Sequence, residues 1–314
     1  MARFKREGLI LSKLSKRQTV SYLAFLILVW GVNWPLSKAA LQFSPPLLFA
    51  GLRTLLGGLI LCAVAAPRWR QLRLRSNGIY YAAAGVLNIT LYYGLQTVGL
   101  QYMPAGLFSA IVFLQPVLLG IAAWLWLGEG MHGSKLAGLL VGFAGVAVIS
   151  VGSIGSGLSL EGVLLALASA LSWCIGTVYM KRVGGRVDIV WMTAMQLLIG
   201  SVLLFASGAA ASESYAAIRW TGTFWLELVF ISVFVIALGW LAFFTLVGSG
   251  QASTVGVYTF LIPVVALIVS VLFMGEQVTM RLVAGLVLVL ASIVLVNRRT
   301  GSEKEKTESK PAAS

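Results

Sequence analysis

Acidic side chains are scarce in this 314-residue chain, and histidine and cysteine are nearly missing: 10 Asp and Glu, 1 His and 2 Cys. Each shortage excludes something. The lone His132 stands beside the end of an apolar run, and Cys62 and Cys174 both fall inside such runs. A metal centre has no ligand set here, and a disulfide framework has no cysteines to build it; the thiols read as small packing residues. No two carboxylates share a helix face, so a membrane protease or lipid-group transferase lacks a catalytic constellation. No cofactor is expected. Deep acids are absent too. Glu129 and Glu276 close their runs and are expected to bond neighbouring helix ends or set loop geometry, while Glu227 sits about a turn inside its run. The carboxylate relay of many proton-driven pumps is therefore not supported, and exchange or facilitated transport stays open.

What the chain has in quantity is apolar length. Hydrophobic residues make up 59% of it and charged residues 11%, with a mean hydropathy of +0.93; a soluble domain is typically about 45–50% apolar. The apolar runs approach the ~20 residues that carry a helix across a bilayer, and they lack strand alternation. The expected fold is an all-α integral membrane protein with ten transmembrane helices, at 20–38, 46–66, 78–99, 104–127, 135–152, 161–181, 189–209, 223–247, 252–274 and 281–297. The net charge of +13 does not point to nucleic acid, because Lys and Arg gather at the cytoplasmic ends of membrane spans. The basic residues of the leader, Arg68, Arg70, Arg73, Arg75, Lys135, Lys181, Arg182, Arg186 and the basic residues of the tail fall on one side. Only Lys38, Arg219 and Arg281 fall on the other. Both termini are expected in the cytoplasm. Ser37-Lys38-Ala39 faintly resembles a signal cleavage site, but the leader is long and the first run exceeds a signal core, so an uncleaved helix is expected.

A repeat organises the runs. Phe113-Leu114-x-Pro116-Val117 returns as Phe260-Leu261-x-Pro263-Val264, and Gly128-Glu129 returns as Gly275-Glu276 at the same offset. Leu28-x-Trp30 aligns with Leu171-x-Trp173, Lys38 with Lys181, Gly57 with Gly200, and Gly138-Leu139 with Gly285-Leu286. The division is a basic leader (1–19), read equally as an interfacial helix or a disordered tail, a first five-helix repeat (20–152), a second (153–297) and a disordered tail (298–314). Five spans per half is odd, so the second half enters the bilayer upside down, the arrangement of many secondary transporters.

These features resemble the drug/metabolite transporter superfamily, EamA type. The resemblance covers about 20–297 and is carried by Trp30-Gly31-x-Asn33-Trp34-Pro35, Arg53, Trp173 and the two Pro…Gly-Glu helices. Pro35 departs from the repeat, since Val178 stands at the matching place. The resemblance implies a carrier in a bacterial cytoplasmic membrane for a small polar or amphipathic metabolite, often an exporter of amino acids or related compounds. Drug and sugar-type carriers belong to the same superfamily and remain an alternative. A membrane enzyme or a channel is the more distant one. The implied partners are a small-molecule substrate and the lipid bilayer, with the chain a monomer or homodimer.

Polar groups in hydrocarbon are costly unless they pair or face water, so they mark the candidate pathway. Arg53 is the basic residue deep within a span, and its repeat mate is Gln196. It reads either as an anchor for a substrate carboxylate or phosphate, through its planar donors, or as a structural clamp. Asn33 caps a break at Pro35 or holds substrate. Asn88 and Tyr92, four apart, share a helix face. The expected site is a central cavity faced by Arg53 and ringed by Asn33, Asn88, Tyr92, Trp173, Gln196, Trp240 and Tyr258. Pro35, Pro116 and Pro263 are expected to kink or gate, and Gly138, Gly142 and Gly145 to form a packing face or a dimer seam.

Overall fold

The computed structural model describes residues 14–103, 105–150, 159–274 and 280–297. Most of the leader, the tail and Glu276 lie outside them. Among the described residues there is no strand, and helical segments join end to end into ten helices. These are α1 (Lys16–Ala40), α2 (Pro46–Ala65), α3 (residues 74–102), α4 (105–127), α5 (Gly133–Ser150), α6 (Leu160–Val183), α7 (Ile189–Ala210), α8 (Gly222–Ser249), α9 (252–274) and α10 (Met280–Asn297). Five of them are long and apolar enough to cross a membrane unaided: α1, α2 with its short 3₁₀ extension, α6, α7 and α8. Helix α1 starts earlier than expected because Ser15 and Gln18 form a reciprocal capping box.

The packing follows the repeat. Helix α2 lies along α7, and α5 along α10. Helix α3 packs on α6 as α1 packs on α8, and α4 packs on α6 as α9 packs on α1. Exchanging the halves maps each pair onto its counterpart. Small residues make the α5–α10 seam close: a Cβ on Gly145 would come within 2.9 Å of the Gly285 carbonyl oxygen, and one on Gly138 within 2.6 Å of Val296. The glycine stripe of α5 is thus spent on α10 within the chain, where small residues let helix backbones meet.

Four of the helices are interrupted, in matched pairs. Helix α4 breaks after Val112 at Phe113–Leu114 and resumes at Gln115. Helix α9 breaks after Tyr258 at Thr259–Phe260 and resumes at Leu261. Pro116 and Pro263 sit in the first turn after each break, where a missing N–H costs nothing. Helix α3 carries a π-helical turn at Gly85–Leu91, and α8 carries one at Ile231–Leu238. Such turns have no hydropathy signature and were not expected; they commonly occur at functional sites. Helix α1 corrects an expectation. It runs continuously through Pro35, so there is no break for Asn33 to cap. Pro35 leaves the Gly31 carbonyl without its helical donor, and at Gly31 helix α9 packs so closely that a Cβ would lie 2.6 Å from Val265 Cγ1. Tertiary packing holds the helix together there.

Hydroxyl groups inside the bundle are mostly satisfied locally. Thr54, Thr97, Thr177 and Ser232 return their protons to the carbonyl four residues back at 2.7–2.8 Å, which suits polar groups without water.

Candidate functional site

Helices α1, α3, α4, α6 and α9 meet around a small central cavity lined by Trp30, Asn33, Trp34, Tyr92, Tyr93, Phe113, Trp173 and Ile262. Both halves contribute. Its volume of about 10 Å³ has room for roughly one water, so the lining side chains nearly fill it. The walls are aromatic and interlocked. Trp30 meets Trp173 edge-on with centroids 5.6 Å apart, Tyr92 lies 5.3 Å from Trp173, and Trp240 and Phe243 of α8 pack 5.5 and 5.3 Å from Trp30. Offset and edge-on pairs of this kind are worth about 0.5–1.5 kcal/mol each beyond their buried area.

Three of the four tryptophan N–H groups at the site have different fates. Trp30 Nε1 donates to the Val235 carbonyl, within the π-helical turn of α8, at 3.1 Å. Trp240 Nε1 donates to the Tyr93 hydroxyl at 2.6 Å. Trp173 is 1% exposed and its Nε1 is buried without a partner. A buried unpaired donor costs about 1–3 kcal/mol, and this one belongs to a residue that lines the cavity.

Arg53 stands behind that wall, not in it. Its side chain is fully buried, with the guanidinium carbon 4.4 Å from the Tyr93 ring centroid and 4.8 Å from that of Phe49. Nη1 donates to Ser37 Oγ at 3.0 Å, Nη2 donates to Gln96 Oε1 at 3.3 Å, and Nε is unpaired. Ser37 in turn donates to Asn33 Oδ1 at 2.9 Å, so the charge reaches the cavity through Ser37 and Asn33. The ion pairs among the described residues are Arg68–Asp188 and Lys135–Glu129, so no acid among them neutralises Arg53. The expectation that Arg53 faces the cavity is corrected: Tyr93 intervenes and two neutral side chains hold the fork.

The other expected residues divide. Asn33, Tyr92 and Trp173 line the cavity, and Trp240 supports it from α8. Asn88 donates to its neighbour Gln196 at 3.1 Å, but neither lines the cavity. Asn88 Oδ1 is pressed against Gly176, where a Cβ would come within 2.0 Å. Tyr258 does not belong to the cavity at all. It lines a groove of about 240 Å³ with Leu14, Thr19, Ser249 and Gln251 at the end of the bundle where α1 starts, and its hydroxyl accepts from Asn297. Tyr258 was placed centrally on span depth alone, but the break in α9 follows it directly and leaves it on the near side. Ser37, Gln96, Trp34, Tyr93 and Phe113 were not in the expected ring. Spacing carried a usable signal for two of them: Ser37 lies four residues after Asn33 and Gln96 four after Tyr92, on the same helix faces.

Helix ends are tied by carboxylates. Glu129 accepts from the N–H of Ala252 at 2.7 Å and of Ser253 at 3.3 Å, and from the Ser253 hydroxyl, which caps α9. Glu213 caps α2 at the opposite end through Leu47 N and Leu48 N at 3.0 and 2.8 Å. Anions at helix N-termini satisfy the free N–H groups there.

Comparison with known proteins agrees with this architecture. A solved crystal structure superimposes with a TM-score of 0.77 at 21% identity, covering 94% of this chain and 100% of that one, which shows the fold alone. The uncharacterized transporter YvbV of Bacillus subtilis (strain 168) is 60% identical over 94% of this chain and 96% of its own. A probable amino-acid metabolite efflux pump of Escherichia coli (strain K12) is 26% identical over 86% of this chain and 91% of its own. The sequence pattern of the EamA-like transporter family matches twice, at residues 18–151 and 160–298. The central cavity is assembled from both matched segments, and the chain is a membrane transporter that belongs to the EamA-like transporter family.

Proposed function

We propose that this transporter is a secondary carrier that exports small amphipathic carboxylates, amino acids or related compounds, by alternating access between its halves 20–152 and 153–297. Both termini lie in the cytoplasm in this reading. The observation that carries it is the pairing of an aromatic cavity with a buried, acid-free guanidinium 4.4 Å behind the Tyr93 ring. The aromatic wall suits an apolar body. The unneutralised positive charge and the unpaired Trp173 N–H both ask for an acceptor, and a carboxylate supplies one. A cation meets like charge there, and a sugar leaves the charge unanswered. The name of the E. coli relative, an amino-acid metabolite efflux pump, points the same way.

Counterflow of a labelled metabolite panel in proteoliposomes tests this. Carboxylates with apolar side chains should exchange, and amines or sugars of similar size should not. Exchange confined to amines or sugars would overturn the substrate class, and no exchange of any compound would overturn the carrier.

A further inference from the structure

Two aligned lysines of the repeat bind helix C-termini at opposite ends of the bundle. Lys38, in the last turn of α1, donates to the Leu100 carbonyl in the last turn of α3, at the end of the bundle where α1 finishes. Lys181, in the last turn of α6, donates to the carbonyls of Val247 and Gly250 at the end of α8, at the end where α1 starts. The acceptors correspond as the donors do, for Leu100 and Val247 stand at the offset that joins Pro116 to Pro263. A helix C-terminus carries unsatisfied carbonyls and partial negative charge, so an ammonium binds there by complementarity. Lys38 joins two helices that line the cavity, and Lys181 joins one that lines it to one that backs it. Helix α1 contributes Trp30, Asn33 and Trp34 to the cavity and α3 contributes Tyr92 and Tyr93, while α6 contributes Trp173, backed by Trp240 of α8. Each lysine thus ties two of these helices together at one end of the bundle. With both in place the cavity holds about 10 Å³.

The two ties are unequal. Beside Lys181, Arg182 donates from Nε and Nη2 to the Trp126 carbonyl at 3.2 and 2.6 Å, which ties the end of α4 to α6. The residue that follows Lys38 is Ala39, which has no donor side chain. The Lys181 end also carries Glu129, which caps α9 at Ala252, two residues beyond the Gly250 that accepts from Lys181.

We propose that Lys38 and Lys181 are the two gate latches of the transporter, released alternately, and that the Lys38 latch is the weaker. The proposal rests on the alternating-access reading but not on the substrate class.

Side-specific labelling tests it without substrate. A reporter Ile262→Cys, placed in the cavity wall of the full chain with Cys62 and Cys174 replaced by Ala, is probed by an impermeant maleimide in right-side-out and inside-out vesicles. Lys38→Met should raise labelling from one face by at least about tenfold, the effect of losing one charged hydrogen bond. Lys181→Met should raise labelling from the opposite face, by less, and adding Arg182→Gln should bring it to the Lys38→Met level. Lys38→Arg and Lys181→Arg should stay at the parent level. If a Met variant loses its monodisperse profile in detergent, the Gln variant at that position is scored instead. Labelling raised from the same face by both variants, or from neither, overturns the proposal. Failure of carboxylate exchange in proteoliposomes with this labelling pattern intact would overturn the substrate reading and leave the latches standing.

Discussion

The two halves share a backbone plan and differ at the polar positions that meet in the middle. Trp30 and Trp173 are aligned residues in contact with each other, yet Trp30 is fastened to the Val235 carbonyl while the Trp173 N–H is free. Arg53 and Gln196 diverge more. One is a buried cation held by Ser37 and Gln96, and the other pairs with Asn88 below the cavity. Duplication therefore supplied the frame, and divergence at a few polar positions made the cavity one-sided. The buried charge behind its wall comes from the first half and the unpaired donor within its wall from the second.

The sharpest way to break that comparison is to make the halves alike. Arg53→Gln, which copies the second half, should lower transport of a carboxylate at least tenfold, a change of about 1.4 kcal/mol, with membrane levels maintained. Arg53→Lys should recover part of it, because the charge returns without the planar fork. Initial rates normalised to protein in the membrane decide it, and a normal rate and affinity for Arg53→Gln would make Arg53 a purely structural clamp.

The tryptophan pair should separate in kind. Trp173→Phe removes a donor that has no protein partner, so it should raise KM severalfold and leave the melting temperature in detergent nearly unchanged. Trp30→Phe strands the Val235 carbonyl and should destabilise the protein by about 1–3 kcal/mol. A fall in melting temperature for Trp173→Phe with an unchanged KM would reverse the assignment.

The smallest effect concerns the Asn88–Gln196 pair. Gly176→Ala should destabilise the bundle, since its methyl would lie 2.0 Å from Asn88 Oδ1. Adding Asn88→Ala should restore part of the loss, although that change costs the hydrogen bond to Gln196, about 1 kcal/mol. A double-mutant cycle on melting temperature reads the coupling, and strict additivity would show that Asn88 moves aside freely.

Much of the frame was legible because hydrophobicity and charge act along the chain. The run lengths announced membrane helices, and the Pro…Gly-Glu echo announced the matched breaks of α4 and α9. The candidate site was legible only in part. Asn33, Tyr92 and Trp173 lie where depth and polarity put them, and Trp240 is one ring behind. Tyr258 was misplaced because depth along a span does not reveal where a helix breaks. Arg53 was correctly singled out as a deep unpaired charge, but the side chain that would stand between it and the cavity could not be read from its neighbours in sequence.

By itself the sequence determined the membrane class, the repeat and the identity of the unusual polar residues, because each depends on local composition or on self-similarity. Only the tertiary structure decided which N–H is satisfied, which ring shields the guanidinium, and which carbonyls Lys38 and Lys181 reach. Those outcomes depend on distances of a few ångströms between residues remote in the chain, and on the π-helical turns of α3 and α8, whose extra residue turns the side chains that follow by an amount that no periodicity in the sequence announces.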